Sequence, residues 1–112
     1  MGENYSVTDP RGYVVRFSGE YFNAHIVSKR PQMQGCEDRV LEAIKNPRSF
    51  IFGDKEDDSR HIYYGSIKPF KKWMYLRVVV KYNDNNEGIL ITAYPTKNMT
   101  AGERIIWPKL TP

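Results

Sequence analysis

The sequence predicts an α+β fold, with an N-terminal strand and two short helices packed on a mainly antiparallel sheet of four to five strands. Three observations carry this. Apolar residues at helical spacing are confined to the stretch between Ser18 and Pro47. Runs rich in Ile, Val, Tyr and Phe, separated by polar turn residues, fill most of the chain beyond Pro47. At 112 residues the chain fits one compact core, so residues 1–112 are read as a single domain.

Asp9-Pro10-Arg11-Gly12 reads as a turn, and residues 12–17 then alternate as a strand bounded by Gly and Ser would. Ser18 is placed to cap a helix whose first turn carries Glu20 and which Pro31 stops, giving a helix over roughly residues 19–29. Phe22 and Ile26, four apart, share its core stripe, and His25 and Tyr21 fall along the edge of that stripe. His25 is therefore expected at a margin between core and water. Glu37 and Asp38 open a second helix on which Val40, Leu41 and Ile44 lie together, and Asn46-Pro47 closes it.

After the second helix the pattern is β, over residues 49–52, 60–67, 74–82 and 88–94, with hairpin loops at 53–59 and 83–87. The nearly continuous run from Leu76 to Tyr82 predicts a central strand with Arg77, Val79 and Lys81 on one side. The next strand is expected to place Leu90, Thr92 and Tyr94 on one face. Ile105, Ile106 and Trp107 pack the tail back as a short strand or turn.

Composition bounds the function. Hydrophobic and charged shares of 40% and 27% set disorder aside, and the 13% aromatic share is led by 8 Tyr. A formal charge of +4 with pI near 9.2 favours an acidic partner, because Lys and Arg attract phosphates. The single Cys36 excludes an internal disulfide framework and a Cys-rich zinc site, and fits a reducing compartment. Residues 1–10 are polar and no apolar run approaches spanning length, so a cytoplasmic protein without membrane contact is expected. Asn98-Met99-Thr100 matches a glycosylation sequon by chance in that setting.

A set of landmarks recurs in order along the chain. They are His25 followed by Lys29-Arg30-Pro31, then Val40-Leu41-x-x-Ile44-x-x-Pro47, Arg60-x-x-Tyr63-Tyr64, Tyr75-Leu76-x-Val78-Val79-Val80 and Ile91-Thr92-Ala93-Tyr94-Pro95-Thr96. Together, from about Gly12 to Trp107, the chain resembles the phage and bacterial nuclease-fold domains of the barnase/EndoU/colicin/RelE-like superfamily. The resemblance implies a RelE/barnase-like β-α-α-β-β-β-β order, with helices on one side of the sheet and an RNA cleft on the other. It also implies metal-independent ribonuclease activity, as in toxins and effectors, and an inhibitor such as an antitoxin or immunity protein. Members use different catalytic sets on this scaffold, so no triad carries over.

Metal-free RNA cleavage needs a base for the 2′-hydroxyl proton, an acid for the leaving 5′-oxygen and cations for the phosphorane. His25 is the most economical acid or base, since histidine changes charge near neutral pH; a helix-edge histidine bonded to backbone is the plain alternative. Arg60, ahead of Tyr63 and Tyr64, reaches a phosphate or simply pairs with the Asp57-Asp58 loop. Thr92 and Tyr94 present two hydroxyls from one strand face, or merely cover the sheet. Arg77 and Lys81 serve as phosphate clamps if their stripe faces a cleft and as solubility charges if it faces water. The catalytic candidates are thus His25, Arg60, Lys81, Thr92 and Tyr94, with His61 the substitute for His25. The RNA-binding candidates are Tyr64, Arg77, Lys71, Lys72 and Trp73, the last three lying with Lys68, Pro69 and Phe70 in a basic, aromatic stretch that either stacks a base or is a solvated loop. Asp54, Glu56, Asp57 and Asp58 do not match an EF-hand spacing, so no metal or other cofactor is expected. These residues suit one of two functions, an endoribonuclease or a non-catalytic nucleic-acid- or protein-binding module on the same scaffold.

Overall fold

The turn at Asp9 folds the N-terminus into a hairpin. Asp9 Oδ1 accepts from the backbone N–H groups of Arg11 and Tyr13 at 2.8 and 3.0 Å, and Gly12 takes φ +92°, a region that side-chain-bearing residues enter only at a cost. This reversal sets β1 (Asn4–Thr8) antiparallel to β2 (Val14–Ser18). The computed structural model describes residues 3–65, 74–99 and 103–108.

Ser18 caps the first helix, its hydroxyl accepting from Tyr21 N at 3.0 Å. A single turn, α1 (Gly19–Tyr21), passes into a π-helical segment over Phe22–Val27. A 3₁₀ turn at Pro31–Met33 leads to α2 (Glu37–Lys45), whose first turn carries Glu37 and Asp38 against the positive end of its dipole. The remaining strands are β3 (Ile51–Gly53), β4 (Arg60–Gly65), β5 (Tyr75–Tyr82), β6 (Glu87–Thr96) and β7 (Arg104–Trp107). All seven join in one sheet ordered β1-β2-β6-β5-β4-β3-β7, in which β2 and β6 run parallel and the other neighbours antiparallel.

One face of the sheet carries the main core. Phe22, Ile26, Met33, Val40 and Ile44 from the helical region are buried against Val15, Phe17, Tyr63, Leu76, Val78, Val80 and Leu90. Each such side chain contributes about 1.5–3 kcal/mol by leaving water. The helix approaches closely where β4 ends: a Cβ on Gly65 would lie 2.5 Å from Ala43 Cβ, so α2 rests directly on the strand. The opposite face holds a smaller buried group, Ile62, Tyr64 and Val79, flanked by Phe52, Tyr75 and Ile91.

The α+β class and the consecutive β3 to β6 meander match the sequence reading, but among the described residues the sheet has seven strands rather than four to five. The extra pair are its edges. In β1 only Tyr5 and Val7 turn inward, and β7 is four residues long, so neither carries a strong alternating signal. Ser49 has φ 64°, which keeps the strand from starting before Ile51. Leu90, Thr92 and Tyr94 do not share a face. Val79 opposes Thr92 while Val80 opposes Leu90, so a β-bulge at Ile91 turns Leu90 into the main core and Thr92 to the other side. Among the described residues no helix is long and apolar enough to cross a membrane.

Candidate functional site

Directly opposed residues of paired strands lie on one face. On the face away from the helices the pairing sets Arg60 opposite Lys81, Ile62 opposite Val79, which opposes Thr92, and Tyr64 opposite Arg77, which opposes Tyr94. Six of the sequence candidates therefore occupy three rows of one face. At about 3.3 Å per residue, the Arg60 and Lys81 row stands roughly 13 Å from the row of Tyr64, Arg77 and Tyr94. Lys71, Lys72 and Trp73, with Lys68, lie outside the described residues.

Arg77 is held from three sides. Its Nη2 meets Glu103 Oε2 at 2.7 Å, Nη1 donates to Tyr94 Oη at 2.8 Å, and Nε donates to Tyr64 Oη at 3.3 Å. Tyr64 in turn donates to Glu103 Oε1 at 2.7 Å. The Arg77 and Glu103 side chains are only 14% and 3% exposed. Burial opposes the charge on Arg77, but its bonds to Glu103 and Tyr64 outweigh that and hold the guanidinium above its ordinary pKa. Its charge is thus committed within the chain, and its effect outward passes through the Tyr94 hydroxyl. By contrast Arg60 and Lys81 share the half-exposed Asp57, at 3.5 and 3.9 Å, and Arg60 Nε makes no hydrogen bond among the described residues.

His25 is exposed on the π-helical segment, its ring 4.5 Å from that of Tyr21. Tyr21 Oη donates to the carbonyl of Ile91 at 3.0 Å. That anchor has a structural reason: β2 pairs with β6 only as far as Ile89, and the helical region takes over along the edge beyond. Ile91 is the bulge residue, and Thr92 and Tyr94 lie just after it. At the end of the same helical region the Arg30 guanidinium lies 5.4 Å from the Tyr94 ring, with Arg77 at 5.7 Å. His25 thus rides on the segment that Tyr21 anchors at the bulge, Arg30 faces the Tyr94 ring, and Thr92 and Tyr94 follow the bulge on the same strand; π-helical turns are frequent at functional sites.

A second polar cluster is internal. Asp9 Oδ2 accepts from Arg11 Nε and Nη2 at 2.9 and 2.7 Å and from Tyr63 Oη at 2.8 Å. Tyr82 donates to the Tyr63 oxygen, whose own proton is taken by Asp9. Arg11 Nη2 also lies 3.0 Å from His61 Nδ1, and since a guanidinium only donates, Nδ1 accepts and the ring proton sits on Nε2. Burial, and then the charge of Arg11, lower the His61 pKa to about 4. His61 is thereby fixed as a neutral acceptor beneath the N-terminal turn. Above about pH 6.5 both folded and unfolded chains carry a neutral His61, whereas on acidification the unfolded chain takes up the proton first, so stability falls from pH 6.5 toward 4. Thermal melts between pH 7 and 5 are expected to show that decline, with His61→Gln flatter over the window; equal slopes would remove His61 as the cause.

Arg30 and Glu103 were not site candidates from sequence. Arg30 stands next to the helix-stopping Pro31, where the chain leaves the first helical region for the 3₁₀ turn, and its signals in the sequence are that position and its place in the Lys29-Arg30-Pro31 landmark. Glu103 carries none, since its partner lies 26 positions away. Among the described residues no group of His, Cys, Asp and Glu is arranged to hold a metal ion. Comparison with protein-family models, curated proteins and solved structures finds no match to the chain.

Proposed function

We propose that the chain is a metal-independent endoribonuclease of the barnase/EndoU/colicin/RelE-like kind, with its site where the π-helical segment meets β6. One observation carries the reading: Tyr21 pins the segment bearing His25 to Ile91, on the strand that carries Thr92 and Tyr94, and Arg30 lies over the Tyr94 ring. His25 takes the 2′-hydroxyl proton as O2′ bonds to phosphorus. The P–O5′ bond breaks and the leaving oxygen takes a proton from Tyr94, the resulting phenolate being stabilised by Arg77 Nη1 at 2.8 Å. Arg30 faces the developing phosphorane charge, and Thr92 supplies a further donor. Arg77 is a positioning residue in this scheme.

General acid–base catalysis contributes about 10²–10⁴-fold, so His25→Ala is expected to slow cleavage of end-labelled RNA in EDTA by that factor while its circular dichroism stays native. Undiminished cleavage by the variant would remove His25 from the chemistry. If the native chain leaves RNA intact but retains it in a mobility shift, the scaffold is a nucleic-acid-binding module instead.

A further inference from the structure

The register carries a cationic row across four strands. Arg60 on β4 opposes Lys81 on β5, Lys81 opposes Ile89 on β6, and Ile89 opposes Arg16 on β2. All four side chains project from the face that bears Tyr94, and Ile89 is 63% exposed between its cationic neighbours. Ser6 continues the row on β1, opposite Arg16, beside a shallow hollow lined also by Asn4 and Ser18. With strands about 4.8 Å apart, Arg60 and Arg16 stand roughly 14 Å from one another.

We infer that this row is a track for the backbone of single-stranded RNA, which extends the ribonuclease reading above to a class of substrate and rests on it. The ion pairs distinguish these cations from Arg11 and Arg77. Arg11 and Arg77 sit at 2.7 Å from carboxylates that are 0% and 3% exposed. Arg16, Lys81 and Arg60 meet theirs at 3.9, 3.9 and 3.5 Å, and each of these partners is at least 36% exposed. Pairs of that kind contribute about 0–1 kcal/mol and leave no buried charge when broken, so a phosphate displaces the carboxylate at little cost. Ile89 offers an apolar contact to a ribose or base edge between phosphates. A single strand suits the site because its backbone can bend between the row and the Tyr94 margin, placing a 2′-hydroxyl beside His25.

The test is binding of a 2′-O-methyl RNA oligonucleotide, which has no nucleophile to cleave, measured by fluorescence anisotropy across a salt series. Each lost phosphate contact lowers the slope of log affinity against log salt by about 0.7, so Arg16→Gln with Lys81→Gln is expected to weaken binding and reduce the slope by about 1.4. Glu87→Gln, which frees Arg16 from its exposed partner, is expected to tighten binding, a direction that no folding defect imitates. Unchanged affinity and slope in the double variant overturn the inference, as does tighter binding of a duplex than of the single strand. Binding that depends on the row while RNA goes uncleaved would remove the catalytic reading alone; cleavage without dependence on the row would remove the track alone.

Discussion

Asp9→Ala is expected to lower the unfolding free energy by about 3–5 kcal/mol, the cost of stranding a buried charge without its partner. The Asp9 side chain is fully buried, and it answers two backbone N–H groups, both reaching nitrogens of Arg11 and the hydroxyl of Tyr63. Arg11 is 13% exposed, stacked at 4.2 Å over Tyr13, and would be left with His61 and Tyr63 as its polar contacts among the described residues. The turn that starts the hairpin loses its side-chain bonds at the same time. Asp9→Asn keeps an acceptor for the two backbone groups and is expected to lose clearly less. Urea denaturation of the three proteins separates these: equal losses for Ala and Asn would mean that the charge on Arg11 does not decide the effect.

Arg77→Met is expected to cost a similar 3–5 kcal/mol at neutral pH, roughly the penalty of breaking a buried pair, because it leaves the Glu103 carboxylate, 3% exposed, with Tyr64 as its remaining donor among the described residues. The loss comes from the stranded carboxylate. Replacing both partners with apolar residues of similar volume is commonly near neutral, so Arg77→Met with Glu103→Leu is expected to recover most of the stability. A double variant no more stable than the single would show that Arg77 acts through packing. Because Arg77 also positions the Tyr94 hydroxyl, the stable double variant is expected to cleave RNA poorly, and that loss would report on the site with the fold intact.

Tyr63 and Glu103 lie far along the chain from the Asp9 and Arg77 they bond, and this is where the sequence stops being legible. The core stripe of Phe22 and Ile26, the helix over Glu37–Lys45, and the shared side of Arg77, Val79 and Lys81 arise from local periodicity, and all three are present. Periodicity says which way a side chain points from its own backbone. It says nothing of what stands opposite, so the pairing of Tyr63 with Asp9, 54 residues away, could not be read. Nor could the bulge at Ile91, which adds one residue to an otherwise regular alternation and so reverses Leu90. Local pattern leaves Arg77 as either a phosphate clamp or a solubility charge; that its charge is held by the buried Glu103 needed the fold. Arg60 and Lys81, grouped with Tyr94 from sequence, share its face but stand one end of the sheet away, which moves them from the proposed chemistry to the proposed track.

The most direct measurement of the central claim is product analysis with two substrates of one sequence, RNA and its 2′-O-methyl counterpart, incubated with the native chain in EDTA. The account predicts that RNA alone is cut and that the new 3′ ends carry a 2′,3′-cyclic phosphate, since attack by the 2′-oxygen leaves no other first product. Cleavage of both strands, or RNA fragments ending in a 3′-hydroxyl, would contradict it.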